Sequence, residues 1–290
     1  MAHVPVLARE SLEALGVRSD GTYVDATFGA GGHAALILAG LGPEGRLIAF
    51  DADPTARAHA PDDPRATLVH ANFRALGAQL DALGIAAVDG VLFDLGVSSM
   101  QLDEAERGFS FRAAAPLDMR LDPTSGASAA EFLAGADERE IADVIYRYGE
   151  ERASRRIARA IVALRDAGTP VRDTADLANV VARAVRAPAH ARIHPATRTF
   201  QALRIAVNDE LGALRDGLDG AVARTATGGR IAAISFHSLE DRIVKQTFRD
   251  DARVRALTRK PIVADDAETA ANPRARSAKL RVAERIEAPR

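Results

Sequence analysis

Tyr23-Val-Asp-Ala-Thr-Phe-Gly-Ala-Gly-Gly-His33 is the stretch that decides the fold. A short apolar run ends in Asp25, and a glycine-rich turn opens onto a helical pattern beginning near His33. About 20 residues beyond the turn, a second apolar run, Arg46-Leu-Ile-Ala-Phe50, ends in the acid Asp51. Strand, glycine turn, helix, strand, acid is the first unit of a nucleotide-binding α/β sheet. Glycine lets the backbone approach a ligand that a Cβ would exclude. An acid at the end of the second strand can accept both ribose hydroxyls of an adenosine. The unit points to an adenosine-bearing cofactor without saying which.

Working outward, further strands are expected at 66–70 and 90–95, with helices at 6–15, 33–41 and 74–83. The run Val91-Leu-Phe93 before Asp94 suits a parallel strand buried on both faces. After about residue 104 the pattern turns helical, over 131–133, 138–148, 151–164 and 174–185, with no convincing strand. A long helix is expected from Thr199 through Leu211. Gly228-Gly229 marks a turn, 230–236 a strand and 239–248 a helix. Residues 250–273 read as polar loop, and the alternation at Leu280 and Val282 as a last strand. The expectation is a doubly wound sheet domain from both ends of the chain, 1–103 plus 204–290, interrupted by an all-helical insertion, 104–203.

The chain has 290 residues, enough for one large or two smaller domains with a sizeable core. It has no cysteine, which excludes disulfides, thiolate metal sites and cysteine nucleophiles. No apolar run approaches the roughly 20 residues that cross a bilayer, and the N-terminal residues lack the pattern of a signal peptide. A cytoplasmic protein with no membrane partner is expected. Net charge is −2, so any nucleic-acid site must come from local patterning.

Gly29-Ala-Gly-Gly-His-Ala34 also fits the dinucleotide pattern G-x-G-x-x-A, which keeps an NAD-dependent oxidoreductase open. Asp94, in Asp94-Leu-Gly-Val-Ser-Ser99, ends the fourth strand and faces the same cleft as Asp25 and Asp51. Three carboxylates repel a pyrophosphate. They suit a cofactor with ribose hydroxyls and a cationic end, as in S-adenosylmethionine. The plainer role for Asp94 is a helix cap. Phe73 could flank a purine or fill a gap, and His33 could touch the cofactor or simply begin the helix.

Residues 139–204 hold thirteen arginines against seven acids. Arg152, Arg155, Arg156 and Arg159 are spaced to share one helical face, which could neutralise phosphates or be a solvated surface. His194-Pro-Ala-Thr-Arg-Thr-Phe-Gln201 is dense in hydrogen-bonding groups at a helix start, with Asn208 and Glu210 following. His237 could be a general base, although a lone histidine is more often structural. No metal-ligand cluster, P-loop or G-x-S-x-G elbow is present, so no metal is expected.

Several of these stretches together resemble the RsmH (MraW) family of bacterial 16S ribosomal RNA cytosine-N4 methyltransferases. They are Asp25-Ala-Thr-Phe-Gly-Ala-Gly-Gly-His33, Leu92-Phe-Asp-Leu-Gly-Val-Ser-Ser99, Gln101-Leu-Asp103, Glu106-Arg-Gly-Phe-Ser-Phe111, Pro116-Leu-Asp-Met-Arg120, Tyr148-Gly-Glu-Glu-Arg152, the segments 194–201 and 234–242, and Asn272-Pro-Arg-Ala-Arg-Ser277. The resemblance implies a Rossmann-like class I methyltransferase sheet and S-adenosyl-L-methionine as cofactor. It carries cofactor binding onto Gly31, Gly32, His33, Asp51, Phe73, Asp94 and Gln101. It implies that the insertion holds RNA, with Arg152, Arg155, Arg156, Arg159 and Arg198 as contacts. The implied partner is 16S ribosomal RNA near the decoding region, in the assembled small subunit, and a homodimer is compatible.

Related amino-methyltransferases carry an Asp/Asn/Ser-Pro-Pro-aromatic stretch after the fourth strand, where this chain reads Asp94-Leu-Gly-Val97. The proton acceptor is therefore open: Asp94 first, then Asn208, His237 and Ser235. Met100 stands where proline is frequent in the family, and Ala206 where an aromatic is frequent. The non-enzymatic alternative is an RNA-binding assembly factor with a vestigial cofactor site.

Overall fold

The structure is a computed structural model that describes residues 5–185 and 194–287. In chain order the first segment forms α1 (Ala8–Leu15), β1 (Thr22–Asp25), α2 (Gly32–Gly40), β2 (Arg46–Asp51), β3 (Ala66–His70), α3 (Leu76–Ala82) and β4 (Val88–Asp94). Six helices follow: α4 (Ser99–Asp103), α5 (Ala129–Gly135), α6 (Glu138–Gly149), α7 (Ser154–Asp166), α8 (Thr174–Val185) and α9 (Thr197–Asn208). The last segment forms α10 (Glu210–Arg224), β5 (Thr225–Ser235), α11 (Ser238–Asp250), β6 (Val254–Ala256), α12 (Asp266–Ala271) and β7 (Lys279–Arg285).

The chain divides into two compact units. One runs up to Gly96 and resumes at Leu211, and the other is Val97–Glu210. The expected limits, 104 and 203, both fall inside the second unit.

The first unit is a seven-stranded sheet in the order β3-β2-β1-β4-β5-β7-β6. β1 to β5 are parallel, and β7 runs antiparallel to both β5 and β6. Val91, Leu92 and Phe93 of β4 are fully buried, as a strand covered on both faces requires. β1 pairs with β2 on one side and β4 on the other. The strand order reverses there, opening a crevice at the carboxyl ends where Asp25, Asp51 and Asp94 terminate their strands.

The core of the second unit is built from helical pairs four residues apart: Ile141 with Ile145, Ile157 with Ile161, and Leu177 with Val181. Ser128 and Glu131 cap α5 reciprocally, and Asp137 caps α6 through the Glu140 amide.

Three expectations fail for identifiable reasons. The long helix from Thr199 is two helices, because Asp209 is left-handed at φ 45°. A two-pronged ion pair spans that break, Arg204 Nε and Nη2 each lying 2.8 Å from an oxygen of Glu210. The helix expected at 151–164 begins only at Ser154, since Glu150 is left-handed and the Glu151 carboxylate accepts the Ala153 amide at 2.7 Å. Residues 250–273, expected as loop, contain β6 and α12. β6 has three residues and pairs only with β7, too little for a period-two pattern to register.

Candidate active site

The turn after β1 is shaped by two left-handed glycines, Gly29 at φ 54° and Gly31 at φ 79°. A Cβ on Gly31 would lie 2.8 Å from the Phe28 ring, so only glycine fits there. Gly31 also occupies the N-cap of α2, and no side chain caps that helix. A helix start without a side-chain cap has N–H groups to offer an anion.

Asp51 receives the Gly29 amide on Oδ2 at 2.7 Å and the Asp53 amide on Oδ1 at 2.8 Å. Burial raises its carboxyl above the ordinary range, and these two amides offset only part of that. Each oxygen keeps a lone pair for a further donor, which a ribose diol supplies.

Asp25 is 1% exposed. Its Oδ1 takes the Thr27 amide at 3.1 Å, and its Oδ2 is buried with no hydrogen-bond partner. Burial pushes this carboxyl up to about 6, against the pull of His33. Asp94 is fixed through its backbone, whose N–H donates to Thr27 Oγ1 at 2.7 Å. One carboxylate oxygen of Asp94 lies 3.5 Å from His33 Nδ1, and the other, Oδ1, is buried without a partner. Two buried carboxylate oxygens on neighbouring strands are costly to leave without partners. They match a ligand that brings a cation and N–H or O–H donors, which is what S-adenosylmethionine carries.

His33 sits at the start of α2 but presents little surface, at 5% exposure. Its Nε2 is 3.1 Å from the Val6 carbonyl, an acceptor, so that nitrogen carries a hydrogen. Nδ1 then faces Asp94, and a proton between the two is needed to avoid opposing lone pairs. Burial disfavours the imidazolium, but Asp94, Asp25 and the Val6 carbonyl outweigh it, and the net shift is upward.

Phe73 follows β3 on a short turn capped by Asn72. It meets Phe93 edge-on at 5.5 Å, and a Cβ on Gly217 of α10 would lie 2.6 Å from its ring. The ring fills a gap between α10 and β4 while staying half-buried.

The remaining candidates are placed differently. Gln101 belongs to the second unit, where it and Ser98 cap α4 reciprocally. Asn208 accepts the Leu121 amide at 2.7 Å and donates to the carbonyls of Met119 and Arg204 at 2.7 and 2.9 Å. An amide so engaged holds backbone and is no base. His237 is the N-cap of α11. Its Nδ1 accepts the Glu240 amide at 3.4 Å, while its buried Nε2 lies 3.1 Å from a Glu240 oxygen without a hydrogen bond to it. Ser235 Oγ reaches the Lys279 carbonyl at 3.4 Å.

The four arginines do not share one helical face, because Arg152 lies in the turn ahead of α7. Arg155, Arg156 and Arg159 are on the helix and exposed, with Arg159 3.6 Å from Glu138. Arg198, on α9, lies 3.9 Å from Glu151. The two strands of chain meet closely here, since a Cβ on Gly149 would be 2.5 Å from the Arg198 carbonyl oxygen.

The role of Thr27 in holding Asp94, and of the Val6 carbonyl in fixing His33, carries no sequence signal. Asp25 did carry one, its place at a strand end.

The chain matches the MraW methylase family over residues 1–286. A protein of Thiobacillus denitrificans is 55% identical across 98% of this chain and 97% of its own length. Relatives from Methylibium petroleiphilum and Chromobacterium violaceum are each 53% identical, across 98% and 99% of this chain and 96% of their own lengths. All three are called ribosomal RNA small subunit methyltransferase H. The sheet described above is accordingly a class I methyltransferase sheet, and the cofactor of the family is S-adenosylmethionine rather than NAD. The chain belongs to the MraW methylase family, and it is an S-adenosylmethionine-dependent methyltransferase.

Proposed function

We propose that the protein methylates the exocyclic N4 of a cytidine in 16S ribosomal RNA, within the small subunit. The relatives' shared name supports the ribosomal substrate. The observation that carries the chemistry is the unpartnered Oδ1 of Asp94 beside the unpartnered Oδ2 of Asp25.

S-adenosylmethionine, when bound, supplies an electrophilic methyl on a cationic sulfur. The α2 amides and the glycine turn, Gly32 included, would hold its carboxylate end, Asp51 its ribose, and Phe73 its purine. The N4 of cytosine is a weak nucleophile because its lone pair is delocalised into the ring. The protein's task is to hold N4 in line with the methyl and to take the proton it sheds as the N–C bond forms. Asp94 Oδ1 is the acceptor in this reading. His33 is a positioning residue: it shares a proton with the other Asp94 oxygen and keeps Oδ1 turned to the cleft. Asn208 holds backbone and takes no proton; His237 caps α11 through Nδ1 and stands behind Asp94 as acceptor through its unpartnered Nε2.

The target base must be unstacked or already single-stranded to enter the cleft. The exposed arginines of α7, with Arg152 and Arg198, supply phosphate contacts for the RNA. Transfer of labelled methyl to ribosomal RNA tests the proposal, with naked RNA set against assembled subunits and the modified base mapped by mass. Label on N4 of one cytidine is expected. Label on any other atom, or none, overturns it. The same reactions run at graded protein concentration give the active oligomeric state, with a homodimer as the expected outcome if activity rises with the square of concentration.

A further inference from the structure

We propose that His194, stacked on Phe111, is a platform on which an unpaired base of the RNA substrate stacks. The proposal rests on the RNA reading above and adds to it a residue and a mode of contact.

The chain is poor in aromatics, with ten Phe, three Tyr and no Trp. Three rings nevertheless form one column in the second unit. Phe200 is buried in the core, and Phe111 meets it edge-on at 4.9 Å. His194 lies over Phe111 at 4.6 Å, tilted by 34°. Exposure increases along the column, from buried Phe200 through half-buried Phe111 to exposed His194. The outermost ring is also pinned, since the Ala196 amide donates to His194 Nδ1 at 3.2 Å. Nε2 then carries the hydrogen and is the nitrogen able to donate outward.

An exposed side chain ordinarily keeps its rotamer freedom. This one is held by a ring contact and a hydrogen bond, so much of the ordering cost of binding is met before a ligand arrives. A flat, fixed ring with an N–H donor suits a nucleobase, whose face stacks on aromatic rings in single-strand recognition. The surroundings are cationic. Arg198 follows four residues later in the first turn of α9 and is 61% exposed, Arg112 adjoins Phe111, and Arg152 adjoins Glu151, the partner of Arg198. Glu150 is the exposed acid of the same turn. The arrangement combines a stacking face with phosphate-binding charge.

The test uses the full chain and 16S ribosomal RNA transcribed in vitro, with binding measured across a salt series. His194→Leu keeps apolar bulk but removes the ring, and His194→Tyr keeps the ring. We expect His194→Leu to weaken RNA binding about tenfold without changing the salt slope. His194→Tyr should bind within about twofold of wild type. Arg198→Ala should lower the salt slope by about 1. Affinity for S-adenosylmethionine should be unchanged in all three. Wild-type RNA affinity in His194→Leu overturns the platform, as does equal loss in the Leu and Tyr variants. Failure of the wild type itself to bind RNA overturns the RNA reading and the platform with it.

Discussion

The crevice at the strand ends and the loop braced by Asn208 treat buried polar atoms in opposite ways. In the crevice, Asp25 and Asp94 each keep a buried carboxylate oxygen unpartnered. Asn208, by contrast, has its whole side-chain amide engaged. Its amide serves three backbone groups, and Arg107 donates to the carbonyls of Arg120 and Leu121 at 3.0 and 2.9 Å. That satisfaction supports real strain: Met119 is fully buried at φ 64°. A Cβ on Gly108 would collide with the Pro116 carbonyl oxygen. In sequence the two motifs look equally chemical. In three dimensions one keeps polar atoms available to a ligand and the other holds a shape.

The sharpest way to break this contrast is at Asp94. Asp94→Asn should lower methyl transfer by roughly 10²–10⁴ while leaving the melting temperature near that of wild type. Single-turnover transfer from labelled donor measures it, and undiminished transfer would remove Asp94 as acceptor. Asn208→Ala should do the reverse. It strands the Leu121 amide and the Met119 carbonyl, costing about 3 kcal/mol in urea unfolding, with transfer per folded molecule retained. Loss of transfer at unchanged stability would make Asn208 part of the chemistry.

Asp25 tests whether the crevice is held in a state unfavourable without its ligand. Its carboxyl stands at about 6 in the fold against an ordinary 3.8. Between those values the folded protein keeps a proton the unfolded chain has released, so stability falls as pH rises through this window. Asp25→Asn should therefore stabilise the cofactor-free protein above the window by about 3 kcal/mol, and by less as pH drops through it. Affinity for S-adenosylmethionine should fall in the same variant, and in wild type as Asp25 gains its proton. Thermal melts and calorimetry across pH check both signs; a destabilised variant at pH above the window would end the argument. The smallest effect is expected at Gly31. Gly31→Ala forces a left-handed φ on a residue with a Cβ against Phe28, costing about 1–2 kcal/mol and weakening cofactor binding more than RNA binding.

Much of the sheet was readable from the chain. Strands β1, β2 and β4 end in the acids that the apolar runs marked, and the 66–70 strand coincides with β3. Local chemistry decides these elements: a glycine turn, a buried run, an acid. What stayed hidden depends on distant partners. The break at Asp209 is set by Arg204, Glu210 and an Asn208 amide that binds a loop 87 and 89 positions away. His237 looked like a base because capping by histidine has no sequence signature. His33 was legible as a member of the turn, but its commitment to Val6 and Asp94 was not. The arginine face failed by a turn of chain, since Glu150 and Glu151 start α7 later than periodicity suggested.

The antiparallel strand β7 has a consequence for how the chain assembles. Among the described strands it comes latest in chain order, yet it sits inside the sheet, between β5 and β6. β4 likewise waits for β5 while the whole of the second unit is made. On a ribosome that releases chain from the N-terminus, the parallel half of the sheet exposes an unpaired β4 edge during that interval. The second unit, built from local helical pairs, can fold meanwhile at little cost in contact order. The nascent enzyme therefore has a period of edge-on vulnerability that ends only when β5 arrives and β7 follows, and truncation before residue 279 should turn an incomplete sheet into an aggregating one.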